Sequence, residues 1–255
     1  MTLNLDFLPQ AAFVFLLIFA RIGTMVMALP GIGDRSVPPN IRLVFALALG
    51  LVFYPLVQES FPAMPTTLGP MFYLFGHELI IGLALGMLIR LISAGVQITG
   101  TIIGFQMGLS FATSFDPNFG GQSNIVSTFL GILALTLIFV GDLHHLLLSG
   151  IFNSYMLFTP SMQLPIGDFS ELALNLVTGS FRIALQMSAP FIVFGLVFYL
   201  GIGLLARLIP QIQIFFIAMP ANIFLSLILF MFLISSIMMA YMTYFANSLD
   251  HFLAN

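Results

Sequence analysis

The sequence predicts an all-α, polytopic protein that is integral to a membrane or assembled within one. Two observations carry that prediction. Of 255 residues, 60% are apolar and only 6% charged, with six arginines, no lysine and nine carboxylates. A water-soluble domain of this size usually carries about 25% charged residues. Apolar runs of about 17–25 residues, the length that crosses a hydrocarbon core as helix, recur from end to end.

The same composition excludes disorder and leaves no basic surface for nucleic acid. Cysteine is absent, which excludes disulfides, thiolate metal sites and a cysteine nucleophile. The formal charge of −3 is too small to steer a partner. There is no tryptophan, and six tyrosines accompany 29 phenylalanines. Bilayer-facing belts favour Trp and Tyr for their polar tips, whereas phenylalanine suits helix-to-helix packing, so much of this surface is expected to meet protein rather than lipid.

Roughly eight apolar helical segments follow, arranged as hairpins, several of them short or broken. The first covers residues 11–29 and is interrupted by Arg21. Before it, the first ten residues hold Asp6 and no basic residue, unlike a cleavable signal. The second covers 41–54, where Pro55 is expected to end it. The third and fourth, 71–89 and 91–109, are divided by Arg90. The fifth and sixth, 125–140 and 143–158, meet at Asp142, His144 and His145 with almost no loop. Such junctions suit tight hairpins or a broken helix, covered by protein or a water-filled cavity. The seventh covers 183–208, with Pro190 expected to kink it. The eighth covers 212–245, with a break expected at Pro220. The positive-inside rule places the ends bearing Arg35, Arg42, Arg90 and Arg207 in the cytoplasm and both termini outside. No internal repeat argues for an inverted-repeat transporter, and no loop is polar or long enough for a soluble domain.

Arg21 lies near the middle of the first segment, where an unpaired charge costs about 2.5–3.5 kcal/mol on translocon scales. It is expected to face a polar interior or a carboxylate, and Glu78 is the candidate partner. Gly82, Gly86, Gly100, Gly104 and Gly108 recur at four-residue spacing in two groups. On a helix that spacing makes a face without side chains, open to close backbone approach. It suits tight packing inside one subunit, or a seam between subunits or along a conduit. The glycine face runs into a stretch holding Phe111, Phe115, Asp116, Pro117, Phe119, Gly120 and Gly121. Asp116-Pro117-Asn118 reads as a turn. Folded inward, the three rings would lie across a pathway and gate it by excluding water; otherwise the stretch is a plain loop.

Three enzymatic or metal motifs fail. His77-Glu78 is followed by Ile81 where a zinc His-Glu-x-x-His motif needs histidine. His144 and His145 point about 100° apart on a regular helix, so they need a third partner to hold an ion. A polar cluster with Asp142 at the hairpin is expected instead. Gly108-Leu109-Ser110-Phe111-Ala112 lacks the last glycine of a serine elbow. No catalytic residue, cofactor or metal is assigned.

Several fragments, in order, resemble the FliR family of flagellar export proteins. They are Phe19-Ala20-Arg21-Ile22-Gly23 with Pro30, Pro38 and Arg42, and Gly76-His77-Glu78 through Gly86. Further on come the ladder through Gln106-Met107-Gly108 to Phe115-Asp116-Pro117, and Arg207-Leu208-Ile209-Pro210-Gln211 with Phe215 and Pro220. The resemblance covers nearly the whole chain and fades over about the last ten residues. It implies a single export-gate domain over 1–255 and a non-enzymatic role. In that family FliR joins FliP and FliQ, with FlhB and FlhA nearby, in the type III secretion apparatus of the flagellar basal body, at the bacterial inner (cell) membrane. Residues 1–180 would be the FliP-like part and 181–255 the FliQ-like hairpin. The family's plug falls on residues 108–121, and Arg207, Pro210 and Gln211 fall at a cytoplasmic hairpin tip. The cargo implied is unfolded flagellar protein. Injectisomes use a close relative, SctT. A stand-alone secondary transporter or channel is the other reading, and it needs a charged or polar site near the bilayer midplane.

Overall fold

In the computed structural model, residues 8–34, 36–109, 124–160, 166–208 and 214–254 are described, and they are almost wholly helical with no strand among them. Seven α-helices are present among these residues: α1 (Leu8–Ala28), α2 (Pro39–Val57), α3 (Leu68–Gln106), α4 (Ile125–Val140), α5 (His144–Leu157), α6 (Ile166–Leu208) and α7 (Ile214–Ala254). Five are long and apolar enough to cross a membrane, and α4 with α5 makes a sixth candidate if they form one broken span.

Helix ends follow local chemistry. Pro39 opens α2, where a missing N–H costs nothing. Asn124 caps α4, its side-chain oxygen accepting from the Val126 N–H at 3.0 Å. Gly141 closes α4, its N–H reaching Leu137 O at 2.8 Å. Past α3, Gly108 takes the left-handed φ of 76° that lets the chain turn off the helix.

Four boundaries depart from the sequence expectation. The third and fourth segments are one 39-residue helix, α3. Arg90 is exposed on its surface, and a lone exposed arginine, a good helix former, cannot interrupt the ladder. Helix α2 runs through Pro55 to Val57, so the proline sits in the last turn and does not end it. Helix α6 begins at Ile166, because the stretch carrying Asp168, Glu171 and Asn175 is helical though too polar to register as an apolar run. Helix α7 continues through Pro220 to Ala254 as one element.

The helices group into two compact units. The first comprises the described residues of Met1–Ile92, Asp142–Leu176 and Ser248–Asn255; the second, those of Ser93–Gly141 and Val177–Asn247. In the first, Leu17, Ile18, Ile22 and Met25 of α1, Ile81 and Leu85 of α3, and Ile151 of α5 are fully buried. Gly50 of α2 faces the Phe15 ring of α1, and Phe53 meets Phe152 with ring centroids 6.5 Å apart. In the second, Phe230 of α7 lies 6.1 Å from Phe129 of α4 and 6.2 Å from Phe191 of α6. Tyr241 and Phe245 complete that core.

Candidate functional site

The first unit is built around one guanidinium. Arg21 of α1 and Glu78 of α3 are both fully buried. Arg21 Nε donates to Glu78 Oε2 at 2.6 Å and Nη2 to Oε1 at 2.9 Å, a two-pronged pair. Nη1 donates to Ser154 O and Nη2 also to Phe158 O, each at 2.8 Å. Those two carbonyls belong to the C-terminal end of α5, where a positive charge complements the exposed ends of the peptide dipoles. The Tyr155 ring lies under the guanidinium, 4.3 Å from centroid to Cζ, and its hydroxyl donates to Ile18 O at 3.3 Å. One side chain thereby ties α1, α3 and α5 together.

Glycine makes that distance possible. Glu78, Gly82 and Gly86 recur every four residues on α3, hence on one face. A Cβ on Gly82 would strike Thr24 Oγ1 and the Arg21 carbonyl, and one on Gly86 would strike Ala28. The bare face lets α1 approach closely enough for Arg21 to reach its carboxylate.

In the second unit, Gly100 and Gly104 serve α4. A Cβ on Gly100 would meet the Ser127 backbone, and one on Gly104 the Asn124 carboxamide. Neutral polar groups close this contact. Ser127 Oγ donates to Gln97 O at 2.9 Å, and Asn124 Nδ2 to Thr101 O at 3.3 Å. On α7, Asn222 Nδ2 donates to Gln106 O at 3.0 Å, covering a carbonyl at the end of α3. Ser180 of α6 and Tyr244 of α7 share a 3.0 Å hydrogen bond.

The structure therefore brings the expected pair, Arg21 and Glu78, together, and sets all four glycines Gly82, Gly86, Gly100 and Gly104 at helix contacts inside the chain. Gly108 closes α3. Phe111, Phe115, Asp116, Pro117, Phe119, Gly120 and Gly121 lie outside the described residues, as do Pro210 and Gln211. Arg207 is exposed in the last turn of α6. Arg21 is fully enclosed, so this charge is committed to holding helices and presents no open binding site. Sequence reasoning missed Tyr155, Asn124 and Asn222. For Asn124 the signal was present, an asparagine directly before an apolar run.

Residues 12–248 match the family described as bacterial export proteins, family 1. The chain is 43% identical over 240 residues to the flagellar biosynthetic protein FliR of Caulobacter vibrioides, covering 94% of this chain and 96% of that one. It is 32% identical to FliR of Bacillus subtilis over 92% of each chain. With FliR of Escherichia coli it shares 30% identity over 80% of this chain and 77% of that one. This chain belongs to the FliR family of bacterial export proteins. The match spans both units, so the ion pair and both glycine contacts lie within the family domain. The family is one of export proteins rather than of enzymes, and in this chain its helices are apolar enough to lie in a membrane.

Proposed function

We propose that the chain is a subunit of the flagellar type III export gate, in the bacterial inner membrane, where it joins FliP- and FliQ-type subunits in a closed conduit for unfolded flagellar proteins. The observation that carries this reading is the length of the exposed apolar face of α6. Helix α6 exposes apolar side chains from Leu174 through Phe181, Leu185, Leu196 and Leu204 to Leu208, a rise of about 50 Å at 1.5 Å per residue. A hydrocarbon core of about 30 Å, even with a helix tilted by about 40°, covers only about 39 Å of helix. Other polypeptides cover the remainder.

In this reading the segment to about residue 180 takes a FliP-like place and the α6–α7 pair a FliQ-like one, with FlhB- and FlhA-type subunits docking on the assembly. Residues 108–121 plug the passage, with Phe111, Phe115 and Phe119 as apolar rings that exclude water, and the Arg207–Gln211 stretch lies at the cytoplasmic entrance. Deleting residues 110–120 leaves the subunit assembled and raises ion leakage across the membrane. Unchanged conductance in the deletion strain would remove the plug from the account.

A further inference from the structure

The junction between α4 and α5 holds a group of side chains that the export role does not use. Asp142, His144 and His145 bring one potential ligand atom each to within 4.8 Å of one another. Asp142 and His145 are exposed and His144 is half-buried, so the group is open to solvent. On a regular helix, consecutive histidines diverge by about 100°. Here they occupy the first two positions of α5, and their ring centroids lie 4.2 Å apart, tilted by 34°. Asp142 supplies the third donor from a left-handed backbone, φ 58°, the one non-glycine residue with positive φ among those described. The His145 N–H donates to the Asp142 main-chain O at 3.1 Å, which closes a turn at the start of the helix.

We propose that Asp142, His144 and His145 form a surface site for a divalent transition metal of the zinc class. Two imidazoles and a carboxylate are the donor set that such ions take, with a fourth position left to water. Tetrahedral zinc with bonds of about 2.0–2.2 Å places its ligand atoms about 3.3–3.6 Å apart. The ligand atoms already lie within 4.8 Å of one another, and a bound ion would draw them together. The bound ion would fasten the left-handed turn to the first turn of α5, within the first unit.

The test is zinc binding to the full chain, purified with its bound partner subunits in detergent on a histidine-free affinity tag and stripped with chelator. Equilibrium dialysis against Zn²⁺ is expected to show that the wild type holds one ion per chain more than Asp142→Asn/His144→Gln/His145→Gln. Each single substitution weakens that binding at least about tenfold, the scale set by far milder changes around metal sites. Asp142→Asn is the informative single change, because asparagine keeps the left-handed turn while giving up the carboxylate. Equal zinc content in the wild type and the triple variant would overturn the site. So would wild-type affinity in Asp142→Asn, which would leave the carboxylate outside the ligand set.

Discussion

The two units solve the same packing problem with opposite chemistry. In the first, α1, α3 and α5 converge on a buried Arg21–Glu78 pair, and His77 beside it is buried too. In the second, the buried polar groups among the described residues are all neutral, namely Thr99, Ser127, Ser180, Ser188, Asn222 and Ser226. Both use glycines at four-residue spacing on α3 to bring a neighbouring backbone close. The difference lies in what the close approach delivers. In the first unit it brings a full charge within reach of its partner and of helix-end carbonyls, a geometry that fails steeply when either partner is removed. In the second it delivers hydroxyl and amide hydrogen bonds, each contributing about 0.5–1.5 kcal/mol and lost one at a time.

Removing one partner of the charge pair should therefore have the largest effect. Arg21→Ala or Glu78→Ala strands a buried ion, and a loss of about 3–5 kcal/mol is expected. Thermal unfolding of the extracted protein and its abundance in membranes would both report this. Replacing the two together, as Arg21→Met/Glu78→Leu, should recover most of the loss, since a packed apolar pair is often as stable as a buried ionic one. If the double variant is no better than the singles, Arg21 acts chiefly through the α5 carbonyls and the Tyr155 ring.

The glycine contacts come next. Gly82→Ala pushes a methyl against the Arg21 carbonyl and Thr24, and overpacking of this kind costs about 1–3 kcal/mol. On the same helix Gly76 has nothing within 4 Å of its added Cβ. Gly76→Ala should therefore stabilise α3 by about 0.8–1 kcal/mol through helix propensity alone. Opposite signs from one substitution six residues apart would confirm that contact, and not helix propensity, fixes glycine at 82. In the second unit Asn124→Ala removes a helix cap and the bond to Thr101, for about 1–2 kcal/mol. The smallest effect is expected for Tyr244→Phe, about 1 kcal/mol for its hydrogen bond with Ser180. Differential scanning fluorimetry of the four variants in one detergent would rank them.

The all-α membrane architecture was legible in composition, and the charge pair was legible because a lone mid-segment arginine demands a counter-ion. The glycine spacing marked close contacts without naming the neighbour, since period-four spacing gives a face but not what lies against it. The carbonyls of Ser154 and Phe158 were invisible for a simple reason: backbone acceptors carry no sequence signature. Helix continuity was hidden where Arg90 mimicked a boundary, and the start of α6 where Asp168 and Glu171 diluted an amphipathic stretch. The approach of the His144 and His145 rings and the left-handed backbone of Asp142 before them are details that no periodicity rule anticipates.

The account rests on an apolar face of α6 that is too long for a bilayer being covered by other export subunits. Extraction of the natively expressed chain in mild detergent, followed by size determination and identification of everything bound to it, tests this most directly. The chain is expected to emerge only within a larger hetero-assembly and to aggregate when expressed alone. A monodisperse, folded, unaccompanied chain that resists proteolysis would contradict it.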